Sequence, residues 1–172
     1  SATSVGTIDS VYQANTTAGF SIVTYTGTTS AGTIAHGLGA VPKMIIIAMA
    51  VLETGYGKSR FALEGNNLFG YRTWDPEAPQ MKPKELPDAE FGVKKYKTKC
   101  DSVQDMIRNV NEYHAYEEYR FERAKQFESG KIDLDTQIDL LSEWSTNPKY
   151  TSLVKLKVNK IKDILNKNKL VK

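Results

Sequence analysis

The sequence has very little cysteine, histidine and uninterrupted apolar sequence. A single cysteine, Cys100, among 172 residues excludes an internal disulfide framework and a zinc site built from cysteines. Two histidines, His36 and His114, leave little for a metal centre, so we expect no metal site and no cofactor. The longest apolar run, Met44–Leu52, is far shorter than the roughly 20 residues of a membrane-spanning helix. We therefore expect no membrane span.

Neither sign of charge dominates. The chain has 23 basic and 20 acidic residues and a formal net charge of +3, which is too small to indicate nucleic acid or a membrane surface. Residues 155–172 are rich in lysine, but these lysines surround an apolar stripe and are more typical of a solvated helix face. The positive field of such a face would attract anionic cell-wall polymers. We expect no nucleic-acid partner. Residues 1–10 have neither the basic region nor the apolar core of a signal peptide.

The composition changes along the chain. Residues 1–50 contain only two charged residues, Asp9 and Lys43, and are rich in Thr, Ser, Gly and Ala. Such a shift predicts a boundary, which we place between a β-like segment at residues 1–41 and a domain at residues 42–172. In the first segment, residues 19–27 alternate apolar and polar side chains and residues 33–36 suit a return strand. Because a lone hairpin is marginal in water, it would need a partner surface or self-association.

The second segment is mainly helical by pattern. Pro42 is well placed to open a helix that ends near Glu53, although residues 44–47 suit a strand equally well and periodicity cannot decide. Four prolines within residues 75–88 exclude a helix there. The remaining elements follow from capping, periodicity and turn residues: a short strand within residues 91–96, a helix opened by Ser102–Asp105, and helices over residues 115–127, 135–144 and 148–166.

Candidate chemistry lies in residues 52–62. A carboxylate, Glu53, ends an apolar helix, and two glycines after it allow a sharp turn. Loss of solvation in a cleft would raise the pKa of Glu53 towards that of a general acid near neutral pH. Lys58 and Arg60 would oppose that shift. The alternative interpretation is a solvated glutamate at a helix end, and composition alone favours it.

Three segments resemble the glucosaminidase domains of bacterial peptidoglycan hydrolases, in the Bax-like branch: AMAVLETGYGKSRFALEGNNLFGYRTW, VKKYKTKCDSVQDMIRNVNEYHAYEEYR and LSEWSTNPKYTSLVKLKVNKI. The resemblance covers residues 42–170. It implies a mainly α, lysozyme-like fold with a small β-lobe. It also implies a glycoside hydrolase of the endo-β-N-acetylglucosaminidase type, which cleaves β-1,4 bonds in peptidoglycan. The chain departs from the family in two ways: Met49 replaces the usual Gln, and the usual leading helices are not seen before the catalytic helix.

The resemblance also implies roles for individual residues. Glu53 matches the catalytic acid, and Tyr116 matches a tyrosine near that acid, although a buried core tyrosine is nearly as good an interpretation of Tyr116. We assign substrate binding to Tyr56, Asn67 and Trp74. For the two aromatic residues the alternative is simple packing, and for Asn67 it is a role in holding backbone groups at the entry to the β-lobe.

The second carboxylate of such an enzyme is expected in the β-lobe. Glu85 is our candidate, Glu90 is the next choice, and Asp75 and Glu77 are less favoured. A separation from Glu53 of about 6.5–9.5 Å would imply inversion, and about 5–5.5 Å would imply retention. Assistance by the substrate's own acetamido group would need neither spacing. The sequence leaves these mechanisms open.

Residues 19–47 resemble a repeat of phage tail proteins: GFSIVTYTGTTSAGTIAHGLGAVPKMIII. Both resemblances include residues 41–47, which is the pattern of a fusion at a shared short sequence. The expected partners are peptidoglycan glycan strands, and either phage tail proteins or a second copy bound through residues 1–41. The expected location is a virion tail or the extracellular cell wall. The alternative function is a structural or glycan-binding tail protein without catalysis.

Overall fold

The computed structural model describes residues 41–167, which are mostly helical and carry one small β-sheet. The prediction of a mainly α fold with a small β-lobe is confirmed. The hairpin-like segment predicted for residues 1–41 lies outside the described residues, apart from Val41. The described elements are α1 Lys43–Thr54, α2 Arg60–Glu64, β1 Arg72–Thr73, β2 Gln80–Met81, β3 Gly92–Lys94, α3 Lys99–Glu112, α4 Glu117–Ser129, α5 Leu134–Asp139, α6 Tyr150–Lys167, and two 3-10 helices, His114–Tyr116 and Ser142–Trp144.

The chain divides into two compact units. The first, called here the β-lobe unit, is Ile46–Met106. The second, called here the helical unit, contains residues 41–45 and 107–167 of the described chain. Each unit has its own buried apolar side chains. They include Ile46, Ala48, Met49, Phe69, Val93 and Met106 in the β-lobe unit, and Val110, Tyr119, Ile138, Leu141, Val154 and Val158 in the helical unit.

Helix α1 decides the ambiguity of the apolar run in favour of a helix. It covers Lys43–Thr54, so the alternative of a strand at residues 44–47 is wrong. Pro42 stands just before it, and the Pro42 carbonyl accepts from the Ile45 N–H at 2.9 Å. A helix satisfies its own backbone groups within the segment, so it can form without the strand partner that this run would otherwise need.

A three-stranded sheet forms the β-lobe. Strand β3 lies between β1 and β2 and is antiparallel to both. The register places Val93 opposite Arg72 on one side and opposite Met81 on the other. The strand predicted within residues 91–96 is therefore confirmed. The proline-rich segment forms no helix, as predicted.

Helix α3 begins four residues earlier than its sequence signal predicted, since its capping box starts at Thr98 and not at Ser102. It starts at Lys99, so the capping box predicted at Ser102–Asp105 is wrong. The Thr98 N–H instead donates to Asp101 Oδ2 at 2.9 Å, and the Asp101 N–H donates to Thr98 Oγ1 at 3.2 Å. This reciprocal pair is a capping box. Ser102 is fully buried, and its Oγ accepts from the Leu68 N–H at 2.9 Å, so it ties the helix to the β-lobe.

A buried chain of amides joins α4 to α5 in the helical unit. The Tyr119 hydroxyl donates to Gln137 Oε1 at 3.3 Å, and Gln137 Nε2 donates to Gln126 Oε1 at 2.9 Å. Gln126 Oε1 also accepts from the Asp133 N–H at 2.8 Å, while Gln126 Nε2 donates to Glu122 at 3.0 Å. Buried polar groups are tolerated when they are hydrogen-bonded in this way.

The later helices match their predictions with shifted ends. Helix α4 ends at Ser129 and is followed by Gly130 in the left-handed conformation, as Ser129-Gly130 predicted. The segment predicted as one helix over residues 135–144 is divided into α5 and a 3-10 turn. Helix α6 starts at Tyr150 rather than at Pro148. Within residues 41–167, no helix is both long and apolar enough to cross a bilayer.

Replacing Gly130 by Ala should destabilise the protein. Gly130 has φ of +68°, and an added Cβ would meet nothing within 4 Å, so the effect isolates backbone conformation. We expect a loss of about 1 kcal/mol in the free energy of unfolding, because an L-residue is disfavoured in the left-handed region. Urea unfolding measures it. Gly130→Asn is the matched control and should lose less, and equal losses for the two variants would contradict this explanation.

Candidate functional site

The carboxylate of Glu53 stands at the surface in the last turn of α1. Met49, four residues earlier, is fully buried, whereas Glu53 is exposed. Residues four apart lie on the same face of a helix, so the buried face of α1 reaches solvent at Glu53. The carboxyl group is therefore both anchored by a packed helix and accessible to a large substrate.

The chain leaves α1 through three successive residues with left-handed backbone. Gly55, Tyr56 and Gly57 have φ of 56°, 63° and 77°, and the Tyr56 N–H donates to the Val51 carbonyl at 2.9 Å. Two glycines adopt this conformation readily, but a tyrosine does so at a cost of about 1–2 kcal/mol. Tyr56 is nevertheless 57% exposed. A strained residue with an exposed ring is a reason to look for function.

Thr54 holds this turn in place. Its Oγ1 donates to the Ala50 carbonyl at 2.6 Å and accepts from the Gly57 N–H at 2.7 Å. Its carbonyl accepts from the N–H groups of Lys58 and Ser59, at 3.1 and 2.9 Å. The end of a helix leaves carbonyls without partners, and here one residue supplies much of the replacement bonding. The position of Glu53, directly before Thr54, is thereby defined.

Helix α2 follows at once and reaches the β-lobe. Ser59 Oγ accepts from the Ala62 N–H at 3.2 Å and caps the helix. Arg60 donates through Nη2 to the Lys82 carbonyl and lies 3.6 Å from Glu64. The guanidinium therefore connects the segment after Glu53 to the loop that follows β2.

Asn67 is buried, and its side-chain amide bonds to backbone groups. Its Nδ2 donates to the carbonyls of Tyr71 and Lys94, at 3.0 and 2.9 Å. Its Oδ1 accepts from the N–H groups of Phe69 and Tyr71, both at 3.2 Å. With 2% of the residue exposed, its amide holds the β-lobe together and is not presented to a sugar. The alternative interpretation, a backbone-holding residue, fits this geometry better than substrate binding.

Trp74 is presented at the surface of the β-lobe. It is 66% exposed, and its ring centroid lies 6.0 Å from that of Phe91. The Arg72 guanidinium lies over the Phe91 ring, 4.2 Å from its centroid, which is a cation–π distance. This packing supports one side of Trp74 and leaves the ring accessible, as sugar stacking requires.

Glu85 is exposed in the loop between β2 and β3. Lys82 closes that loop, because its Nζ donates to the carbonyls of Ala89 and Phe91 at 2.8 and 3.2 Å. The structure thus keeps Glu85 at the surface of a fastened loop. The other predicted carboxylates of the lobe are also exposed: Glu90, Asp75 and Glu77.

Tyr116 belongs to the helical unit and is 4% exposed. Burial, then the negative charge of Glu143, then Tyr113 raise the pKa of Tyr116 to about 12. The hydroxyl therefore stays protonated at any physiological pH and acts as a neutral hydrogen-bond group. Its burial agrees with the interpretation as a core aromatic, and its proposed role beside the acid stays a prediction.

Residues 41–167 contain no group of three His, Cys, Asp or Glu side chains that could hold a metal ion. Cys100 is exposed.

Comparison with known proteins gives the family of this chain. The family described as mannosyl-glycoprotein endo-beta-N-acetylglucosaminidase, the glucosaminidase family, matches residues 29–170. The chain belongs to the glucosaminidase family. It is also 26% identical over 110 residues to Protein bax of Escherichia coli (strain K12), covering 63% of this chain and 38% of that protein. The chain thus spans well under half of that relative's length. No solved structure matches it.

Membership places the chain among the glycoside hydrolases. In this glucosaminidase, five of the six predicted site residues belong to the β-lobe unit, and Tyr116 belongs to the helical unit. Sequence reasoning missed Arg60 and Lys82 as the residues that fasten the loop of Glu85. Both bond to backbone carbonyls, whose positions follow from the fold, so the sequence carries no signal for them.

Two substitutions at Tyr56 should separate strain from function. Tyr56→Ala and Tyr56→Gly both remove the exposed ring, but only glycine relieves the left-handed conformation. We expect Tyr56→Gly to be more stable than Tyr56→Ala by about 1 kcal/mol in urea unfolding, and both variants to hydrolyse glycan more slowly than the natural chain. Unchanged hydrolysis in both would show that the ring does not contact substrate.

The raised pKa of Tyr116 predicts a pH dependence of stability. The folded state retains the proton up to about pH 12, whereas the unfolded tyrosine loses it near 10.0. This contribution is therefore fully present below pH 10 and is lost as the pH rises from 10 towards 12. Urea unfolding at several alkaline pH values should show a shallower decline for Tyr116→Phe than for the natural chain. Parallel curves would contradict the assignment.

Proposed function

We propose that this glucosaminidase hydrolyses the β-1,4-glycosidic bonds of peptidoglycan glycan strands, with Glu53 as the proton donor. The observation that carries the proposal is the placement of Glu53, an accessible carboxyl on a packed helix beside a strained, ring-bearing turn. The family match and the resemblance to peptidoglycan hydrolases support the substrate class.

Glu53 must carry a proton before the reaction in order to act as a general acid. Glu53 gives its proton to the glycosidic oxygen as the bond to the anomeric carbon breaks, and water supplies the hydroxyl group of the new reducing end. Positive charge develops on the sugar ring as that bond breaks and before water adds. Either a second carboxylate, for which Glu85 is the candidate, or the substrate's acetamido group stabilises that charge.

The exposed aromatic residues supply the affinity for sugar. Tyr56 and Trp74 are each more than half exposed, and aromatic rings stack on the apolar faces of pyranose rings by dispersion and burial of CH groups. Two such rings on one unit suit a polymer that extends beyond a single sugar. A substrate of several sugars also explains why the site is presented at a surface.

The proposed place of action is the cell wall, reached from a virion tail. The resemblance of residues 19–47 to a phage tail repeat supports a virion-tail hydrolase that opens the cell wall, with residues 1–41 as the attachment to other tail proteins or to a second copy. A secreted cell-wall enzyme is the other location for the same chemistry. Detecting the chain in purified virions, as against culture supernatant and cell wall, distinguishes them.

Replacing Glu53 by Gln should abolish most of the activity. Glutamine keeps the shape but carries no donatable carboxyl proton, and general acid catalysis contributes about 10²- to 10⁴-fold. We expect clearing of purified cell walls to slow by at least about 10²-fold, with the thermal unfolding midpoint unchanged. Glu128→Gln is the matched control, because it removes an exposed glutamate that lies outside the candidate site. Muropeptide analysis identifies the bond that is cut.

Two further variants test which group stabilises the positive charge on the sugar. Slower hydrolysis by Glu85→Ala but not by Glu90→Ala would assign Glu85. No effect of either would favour the acetamido route. Equal rates for the natural chain and Glu53→Gln would remove Glu53 from the mechanism. Binding of glycan without any cleavage would leave the structural, glycan-binding alternative.

A further inference from the structure

The β-lobe carries an arginine stacked on a phenylalanine, next to the exposed tryptophan. The Arg72 guanidinium carbon lies 4.2 Å from the centroid of the Phe91 ring, and that centroid lies 6.0 Å from the centroid of the Trp74 ring. Arg72 and Trp74 are exposed, and Phe91 is partly buried. All three residues belong to the β-lobe unit, as does Glu53. The three side chains are called here the arginine platform.

The register of the sheet explains why these side chains meet. Thr73 of β1 pairs with Gly92 of β3, so the next residues outward, Trp74 and Phe91, lie side by side. Arg72 comes two residues before Trp74, and side chains two residues apart in an extended strand leave the same face. The platform therefore follows from backbone pairing.

Gln80 fixes the backbone next to the platform. Its side chain packs so closely against Gly92 that a Cβ at this glycine would overlap it. Gln80 Nε2 also donates to the carbonyls of Asp75 and Pro76, at 2.9 and 3.3 Å. These bonds hold the turn directly after Trp74, so the ring is presented on a defined backbone.

The structure shows no carboxylate that pairs with Arg72. None of the ion pairs seen in residues 41–167 includes this arginine. Asp75, the acid nearest to it in the sequence, accepts from the Glu77 N–H through Oδ1 at 2.9 Å and so serves its own turn. A guanidinium that stacks on a ring through its face keeps its edge N–H groups for other acceptors. The platform therefore presents a charged fork close to an exposed ring.

We propose that Arg72 binds a carboxylate of the substrate while Trp74 stacks on a neighbouring sugar. The inference rests on the proposed function, because it assigns a subsite for the same glycan, and it makes Arg72 a residue that determines specificity. A neutral sugar chain would use only the ring. A chain that carries a carboxylate uses both groups, since the planar fork of arginine matches the two oxygens of a carboxylate.

Peptidoglycan offers a carboxylate from two sources. Where the stem peptide has been removed, the lactyl group of muramic acid ends in a free carboxylate. Where the stem peptide is present, the peptide itself carries free carboxylates. The chemistry required of Arg72 is the same. In either case the subsite would distinguish peptidoglycan from a neutral polymer of N-acetylglucosamine.

The test measures binding separately from cleavage. Titration calorimetry in the Glu53→Gln background compares a peptide-free tetrasaccharide of alternating N-acetylglucosamine and N-acetylmuramic acid with its lactyl methyl ester. A second comparison sets a free stem peptide against its fully amidated form, and an N-acetylglucosamine tetramer serves as the neutral chain. Replacing Trp144 by Phe leaves Trp74 as the sole tryptophan of the two in the chain, so its fluorescence reports on the platform.

Three variants separate the charge, the shape and the general field of arginine. Arg72→Gln removes the charge, and Arg72→Lys keeps the charge without the planar fork. Arg108→Gln is the matched control, because it removes an exposed arginine that lies outside the β-lobe unit.

We expect a ligand with a free carboxylate to bind more tightly than its ester or amide partner. Arg72→Gln should weaken that ligand about tenfold, the effect of one charge-assisted hydrogen bond, and Arg72→Lys should weaken it less. The neutral tetramer should bind as before and still perturb Trp74 fluorescence. A preference for the lactyl or the peptide carboxylate supports the subsite and identifies its source.

Two results would overturn the subsite. Equal weakening of the neutral tetramer by Arg72→Gln would reduce Arg72 to a support for Phe91. Equal affinities of Arg72→Gln and Arg108→Gln for the carboxylate ligands would show that the contact is not made.

Clearing of cell walls by the natural chain tests the proposed function independently. Clearing without any preference for a carboxylate keeps the hydrolase and overturns the subsite. A preference for a carboxylate without clearing supports the subsite and removes the hydrolase.

Discussion

The bonding of Thr54 is the constraint on which the arrangement around Glu53 depends. One side chain receives the Gly57 N–H and donates back into helix α1, while the carbonyl of the same residue accepts from two residues further on. These bonds end an apolar helix one residue after its acid and place Ser59 as the N-cap of α2. Without them the helix end would fray, and the accessible carboxyl would have no defined direction.

A second organising group is the amide of Asn67, which is bonded to backbone on both sides. It bonds to the segment that leads to β1 and to Lys94 of β3, so it connects two very short strands that have few ladder bonds of their own. Very short strands are weak alone. A buried polar side chain therefore adds to the apolar residues that hold the β-lobe together.

The sequence predicted the kinds of element better than their ends. Helix α1 was ambiguous because nine apolar residues fit either period, and a helix satisfies the backbone groups of this run without a partner strand. The start of α3 was displaced because Thr98 and Ser102 both begin a capping pattern, and only the fold shows that Ser102 is buried against Leu68. Glu53 was found by resemblance, since its surroundings depend on contacts such as Arg60 to Lys82 that join residues distant in the chain.

The buried amide chain between α4 and α5 has a consequence for how the helical unit reaches a single structure. Leu, Ile and Val tolerate sliding of one helix along another, because their contacts are not directional. The Gln126–Gln137 pair is directional, and a shift of one turn would leave amides buried without partners. Because these groups carry no charge, this selection of register operates equally in acid and in alkali. The hydrogen-bonded pair therefore fixes the alignment of α4 and α5.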